Sequence, residues 1–240
     1  MDIKKVVPVI TIDGPSGTGK GTICHRLATH LGWHCLDSGA LYRIVAFAGV
    51  KKGLLKDEIT GPLTADESSQ LIETATHLDV RFAENTAEQS LVFWEGQEIS
   101  QALRTERCGQ MASKIAVIPA LREALLNRQR AFAIPPGLVT DGRDMGTVVF
   151  REAYLKIFLS ASAEERARRR FFQLKDSGND ARLAQVVDEL VKRDARDTAR
   201  AHSPLKPAED AVLIDTTGLS VDEVFQRVLS LIAERGGRGL

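Results

Sequence analysis

Cysteine is scarce in this chain: Cys24, Cys35 and Cys108 are the three present in 240 residues. Their odd number and wide spacing match neither a disulfide framework nor a metal knuckle, so a reduced, cytoplasmic setting is expected. Cys24 and Cys35 read as small buried apolar residues rather than reactive thiols. Aromatic residues are also few, at 5%, and Trp33 and Trp94 read as packing residues. Excess charge of either sign is missing, with 32 basic against 32 acidic side chains. That balance argues against a general nucleic-acid binder. No apolar run is long enough to cross a bilayer. Lys4 and Lys5 lead into a short apolar stretch without a signal-peptide core. The five histidines have no ligand spacing and are assigned no role. What remains is the composition of an ordinary globular protein, long enough for one α/β domain with insertions or at most two domains.

The densest information lies in Gly14-Pro15-Ser16-Gly17-Thr18-Gly19-Lys20-Gly21-Thr22. An apolar run at residues 6–12 reads as a buried strand before it, and residues 23–31 read as a helix after it. A glycine-rich turn between strand and helix, with a lysine entering the helix, is a phosphate-binding P-loop. Glycines let successive N–H groups face one anion. The helix N-terminus and the Lys20 ammonium add positive charge. Lys20 is expected at the surface, where its removal would leave stability unchanged. Gly21 stands where the general motif has Ser or Thr, and the hydroxyl follows at Thr22. A water-mediated Mg²⁺ contact is therefore expected there instead of a direct one. Switch GTPases carry a separate Asn-Lys-x-Asp guanine motif, which this sequence lacks.

Further short apolar runs at 33–36, 138–140, 155–159 and 211–214 end in polar or glycine-rich turns, with helical stretches between most of them. This alternation predicts a parallel sheet covered on both faces. Capping boxes are expected at Thr64 with Glu67, Ser162 with Glu165 and Ser220 with Glu223. A final helix over 221–235 has an amphipathic stripe. Residues 78–100 alternate instead, with Val80, Phe82, Leu91 and Phe93 assigned to one face and turns near 84–88 and at Glu95-Gly96. They read as a small antiparallel insertion after a helix over 64–77. Residues 166–200, rich in charge, read as two exposed helices around Asp176-Ser177-Gly178-Asn179, and 236–239 as a frayed tail. In a parallel sheet, function gathers beyond the carboxyl ends of the strands. Those ends carry the P-loop, Asp37-Ser38-Gly39 and Asp141-Gly142-Arg143-Asp144.

Three motifs coincide: the P-loop, Asp37-Ser38-Gly39-Ala40-Leu41-Tyr42-Arg43, and Asp141-Gly142-Arg143-Asp144-Met145-Gly146-Thr147-Val148-Val149-Phe150. Together they resemble the bacterial-type cytidylate (CMP/dCMP) kinases, over about residues 6–232. The resemblance implies a P-loop NTPase-type five-stranded parallel sheet with helices on both faces, an NMP-binding insertion and a helical lid. The core would span about 1–37, 113–165 and 201–235, the NMP-binding region 38–112 and the lid 166–200. It implies ATP as phosphate donor with Mg²⁺, CMP and dCMP as acceptors, and a monomer without nucleic-acid or membrane partners.

The family's roles carry over motif by motif. The loop from Gly14 to Thr22 would hold the donor phosphates, joined by Arg166 and Arg170. Ser38 and Arg43 resemble the residues that hold the acceptor, with Arg43 and Arg143 gripping its phosphate through bidentate guanidinium bonds. Ser113, Arg122 and Asp144 resemble the cytosine-reading group; a carboxylate at Asp144 accepts from the cytosine amino group and repels the uracil carbonyl. Arg193, Asp197 and Arg200 resemble lid residues and fall on one helical face by spacing. Asp141 is the candidate Walker-B-type carboxylate, acting with Thr22 on Mg²⁺ through water. Lys20, Arg143, Asp141 and Arg193 are the candidate catalytic set.

Plainer readings stand beside these. Asp37-Ser38-Gly39 alone is an ordinary turn. The run Arg166, Arg168, Arg169 and Arg170 is, by type, a solvated face or a nucleic-acid patch. Arg193 and Asp197 make a simple i,i+4 pair. A kinase for UMP or AMP, a P-loop ATPase or regulator without transferase activity, and a nucleic-acid-binding ATPase are the alternative functions.

Overall fold

The computed structural model describes residues 7–56, 61, 63–84, 90–176 and 181–235. In chain order, β1 (Val9–Asp13), α1 (Lys20–Leu31) and β2 (His34–Asp37) come first, followed by α2 (Ser38–Lys51) and α3 (Ala65–Thr76). Three short strands come next: β3 (Val80–Glu84), β4 (Ser90–Trp94) and β5 (Gln97–Glu98). Then follow α4 (Ser100–Leu103), α5 (Glu106–Ile115), α6 (Pro119–Arg130), β6 (Leu138–Gly142) and a π-helical turn, Met145–Val149. The chain closes with β7 (Leu155–Ser160), α7 (Ala163–Asp176), α8 (Leu183–Thr198), β8 (Val212–Asp215) and α9 (Val221–Glu234). They form two compact units, Met1–Asp37 with Arg130–Leu240, and Ser38–Gln129.

The first unit is built on a five-stranded sheet in the order β2-β6-β1-β7-β8. Every pairing in it is parallel. All five β1 residues are buried, as the unbroken apolar run demands of a strand covered on both faces. Ile10, Ile12, Leu155, Ile157 and Leu159 pack with Ile23, Cys24 and Leu27 of α1 and with Val224, Phe225, Val228 and Ile232 of α9. Cys24 and Cys35 are free thiols, their sulfurs 3.5 Å apart.

Helices α7 and α8 are less exposed than their composition suggests. They share a small core of Ala167, Val186 and Leu190, with Phe171, Leu174 and Ala181 around it. The expected turn at Ser177-Gly178-Asn179 lies outside the described residues, as do residues 85–88 of the expected hairpin turn and the tail from 236. Thr64–Glu67 and Ser220–Glu223 form both bonds of the capping box. The Ser162 box is half made. The Ser162 hydroxyl accepts from Glu165 N–H, but the Glu165 carboxylate turns to Arg168 and Arg169. Thr217 takes the Ser162 N–H instead.

The second unit packs α2 against α3, α4 and α5, with Leu41, Ile44, Val45, Leu71 and Ile115 buried. Its antiparallel sheet runs β3-β4-β5. The register pairs Val80 with Trp94 and Phe82 with Val92, so Val92 and Trp94 share the face of Val80 and Phe82. This corrects the expected Leu91 and Phe93. Four consecutive apolar residues in β4 leave the period-2 phase ambiguous in the sequence, and the pairing with β3 fixes it. Phe93 instead stacks under the Arg81 guanidinium, 4.6 Å from the ring centre.

Candidate active site

The strand β1 delivers the chain into the P-loop at a point that only glycine fits. Gly14 has φ +148°, and a Cβ there would lie 2.1 Å from the Leu159 carbonyl oxygen of β7. At the far end Gly19 precedes α1 without any side-chain cap, and the first turn carries no acidic residue. The positive end of α1 is therefore left for an anion. The Thr18 hydroxyl and the Lys20 ammonium both donate to the Pro15 carbonyl, at 3.1 and 2.6 Å. Lys20 is only 5% exposed, which corrects its expected surface placement: the ammonium folds back into the loop's own curl. Gly21 and Thr22 are exposed.

Carboxylates gather under this cation. Parallel register sets Asp37 of β2 beside Asp141 of β6, and Asp13 of β1 beside Gly142. Burial, and next the neighbouring Asp37 charge, push the Asp141 carboxyl up, against the pull of Lys20 and Arg143. Burial, then Arg143, pushes the Lys20 ammonium down. Burial raises Asp13 to about 6, although Met145 and Gly146 N–H groups hold its ionised form. Opposite charges thus sit close together in a dry place, where each is worth far more than in water.

Arg143 continues the network. Its Nε donates to Asp197 Oδ2 at 2.8 Å, and Arg200 Nη2 donates to the other Asp197 oxygen. Burial alone would raise Asp197, but Arg143 and Arg200 hold it below the ordinary carboxylate value. Arg193 adds its charge to both Asp197 and Lys20. Arg193 and Asp197 both lie on α8, whereas Arg200 lies just beyond its end at Thr198 and joins Asp197 through an ion pair. Asp197 therefore pairs both with Arg143 and with Arg200, three residues on.

The arginines of α7 divide. Arg166 is buried; it donates to Asp194 at 2.5 Å and to the Ser16 carbonyl of the P-loop at 3.3 Å. Arg169 braces the Thr216 carbonyl and hydroxyl and the Leu219 carbonyl. Arg168 is exposed and bound to Glu165, and Arg170 donates to Gln173. One run therefore holds a loop-facing group, a structural brace and a solvated pair.

In the second unit, α2 opens at Ser38 directly from β2, so Ser38 begins a helix instead of a turn. Ser38 is buried and Arg43 half-buried, one and a half turns on. Ser113 lies buried on α5, which packs on α2. Arg122 of α6 stands over the Tyr42 ring of α2 at 5.4 Å and donates to the Ala116 carbonyl at 3.1 Å.

Two features escaped the sequence. Asp13 reads as the polar end of a strand, yet both its oxygens are engaged. Asp37 reads as part of a turn, yet it faces Asp141; only a correct strand order reveals it. No group of three or more His, Cys, Asp or Glu suited to a metal occurs among the described residues, and no helix among them is long and apolar enough to cross a membrane. A divalent ion at Asp141 would be held by few protein atoms and by phosphates and water, which suits Mg²⁺.

Comparison with known proteins converges on one family. The cytidylate kinase family model matches residues 10–234. A cytidylate kinase from Pseudomonas fluorescens strain Pf-5 is 56% identical over 236 residues, covering 98% of each chain. One from Stutzerimonas stutzeri is 54% identical over 232 residues, covering 96% of this chain and 97% of the relative. Among solved structures, an uncharacterized protein from Eubacterium ventriosum shares the fold at TM-score 0.50 and 13% identity, covering 95% of this chain and 98% of its own. With the P-loop, the five-stranded parallel sheet and the Asp-Gly-Arg-Asp segment in place, the chain belongs to the cytidylate kinase family.

Proposed function

We propose that this chain transfers the γ-phosphoryl group of ATP to the phosphate of CMP, giving ADP and CDP, with dCMP a second acceptor. The observation that carries the reading is the buried Lys20 ammonium curled into a P-loop, in a chain of this family. A CMP phosphate oxygen attacks the γ-phosphorus, and the bond from that phosphorus to the β,γ-bridging oxygen breaks. The attacking oxygen is already ionised at neutral pH, so positioning and charge neutralisation suffice.

Lys20 and the amides of Gly14–Thr22 hold the donor phosphates, with Arg166 and Arg170 beside them. A phosphate drawing Lys20 from Pro15 replaces a carbonyl dipole by a full negative charge. Arg43 and Arg143 hold the acceptor phosphate; Arg143 and Arg193 meet the charge on the transferring group. Ser38 holds the acceptor, and Ser113, Arg122 and Asp144 read its base. Asp197 and Arg200 act in a lid over 166–200 that excludes water, which would compete as acceptor. Bound Mg²⁺ supplies charge neutralisation at the donor phosphates, and Asp141 and Thr22 would hold it through water. We place the enzyme in the cytoplasm as a monomer.

An ADP-release assay across CMP, dCMP, UMP, AMP and GMP tests this. Turnover with CMP and dCMP well above the others is expected. Preference for UMP or AMP, or ATP hydrolysis without a phosphorylated acceptor, would overturn it.

A further inference from the structure

The π-helical turn Met145–Val149 follows directly on Arg143 and Asp144. Its N-cap residue, Asp144, makes no side-chain capping bond to it. The first N–H groups of a helical turn need an acceptor, and here it comes from a distant strand. Asp13 Oδ1 accepts from Met145 N–H at 3.0 Å and Oδ2 from Gly146 N–H at 2.8 Å. The turn lies tight on the sheet: a Cβ at Gly146 would sit 2.9 Å from Thr11 Oγ1 and 3.2 Å from Lys156 Cδ. Thr11 and Lys156 are register partners, and Asp13 shares their face of β1. The carboxylate is 5% exposed.

We propose that Asp13 is a positioning residue that fixes Arg143 and Asp144 by capping the turn that follows them. The same residue immediately precedes Gly14, so one side chain ties the origin of the donor loop to the segment that meets the acceptor. Only a carboxylate does this. Asparagine offers one acceptor oxygen, and its amide group would confront the second N–H donor with another donor. The inference rests on the reading that Arg143 and Asp144 serve the acceptor.

The test compares wild type, Asp13→Asn, Asp144→Asn and the double variant. It measures kcat/KM for CMP and UMP, ATP affinity without acceptor, and amide hydrogen exchange at Met145 and Gly146. Displacement of a positioned group by about an ångström costs up to roughly a hundredfold in rate. Asp13→Asn should therefore lower kcat/KM for CMP by about ten- to a hundredfold, narrow the CMP/UMP ratio and leave ATP affinity in place. Added to Asp144→Asn, it should change that ratio little further, because both act on one element. An unaltered CMP/UMP ratio with parallel loss of ATP and CMP use would overturn the proposal, as would wild-type kinetics. The exchange arm needs no substrate. Both amides should be strongly protected in the wild type, and fast exchange there refutes the cap even should Asp13→Asn not fold. Failure of the cytidylate reading would show instead in the wild-type acceptor profile, which exchange does not touch.

Discussion

Replacing Asp197 by asparagine removes one negative charge from between two arginines. Asp197 is 1% exposed, and the Arg143 and Arg200 side chains are 17% and 5% exposed. The asparagine keeps one acceptor oxygen and turns an amide donor toward an arginine donor. Breaking a buried ion pair from one side costs ~3–5 kcal/mol, because the other charge is left uncompensated. For a chain of this size each kcal/mol moves the melting temperature by about 2–4 °C, so a fall of roughly 6–20 °C is expected. The effect has a pH signature. The arginines hold folded Asp197 below its ordinary value, so its contribution is complete above the unfolded carboxylate value of about 3.9. It is lost as pH falls through the lowered folded-state value. Urea and thermal unfolding of both proteins from pH 7 downward would show a gap that is full at neutrality and closes in acid. A gap under ~1 kcal/mol at pH 7, the worth of an exposed pair, or one independent of pH, would refute the reasoning.

Lys20→Met should cost at least ~10²-fold in kcat, the scale of losing one preorganised donor at a developing charge. It should not lower the melting temperature at pH 7, since the folded state disfavours that ammonium through burial and Arg143; retained activity would sink the P-loop assignment. Asp144→Asn should narrow the CMP/UMP ratio of kcat/KM by roughly ten- to a hundredfold, from ~1–3 kcal/mol of lost base discrimination; parallel loss on both nucleotides would show that Asp144 only braces its neighbours. Gly14→Ala should cost ~1–3 kcal/mol from the backbone conformation alone, with the clash against Leu159 added, and a wild-type urea midpoint would contradict the geometry.

Much of this was legible in the chain, and the misses have physical causes. The P-loop and the parallel core could be read because apolar runs, glycines and helix starts follow one another at short range. The phase of β4 could not, because Leu91, Val92, Phe93 and Trp94 are all apolar. The half-made Ser162 cap was hidden because two arginines one turn on compete for Glu165. The burial of Lys20 depends on how the loop curls over it, and the engagement of Asp13 on a partner 132 residues away. Spacing along the chain placed Asp197 near Arg200, with which it pairs, but could not show that its other oxygen takes Arg143 from the end of β6. Local pattern reports elements; charges that meet across the sheet are set by strand order.

The charges gathered at this site are costly to bury. Lys20 and Asp141 sit where burial opposes ionisation of both, and the nearest like charges, Arg143 and Asp37, oppose it further. A core built for stability alone would place apolar side chains here. An incoming phosphate reverses the balance at Lys20, because it brings the negative charge that burial and Arg143 withhold. A divalent cation would do the same for Asp141. In the proposed function, a phosphate at Lys20 and a cation at Asp141 would each lower the cost of binding the other. Asp197 in turn draws Arg143 and Arg200 onto one carboxylate, so that neither guanidinium is left uncompensated.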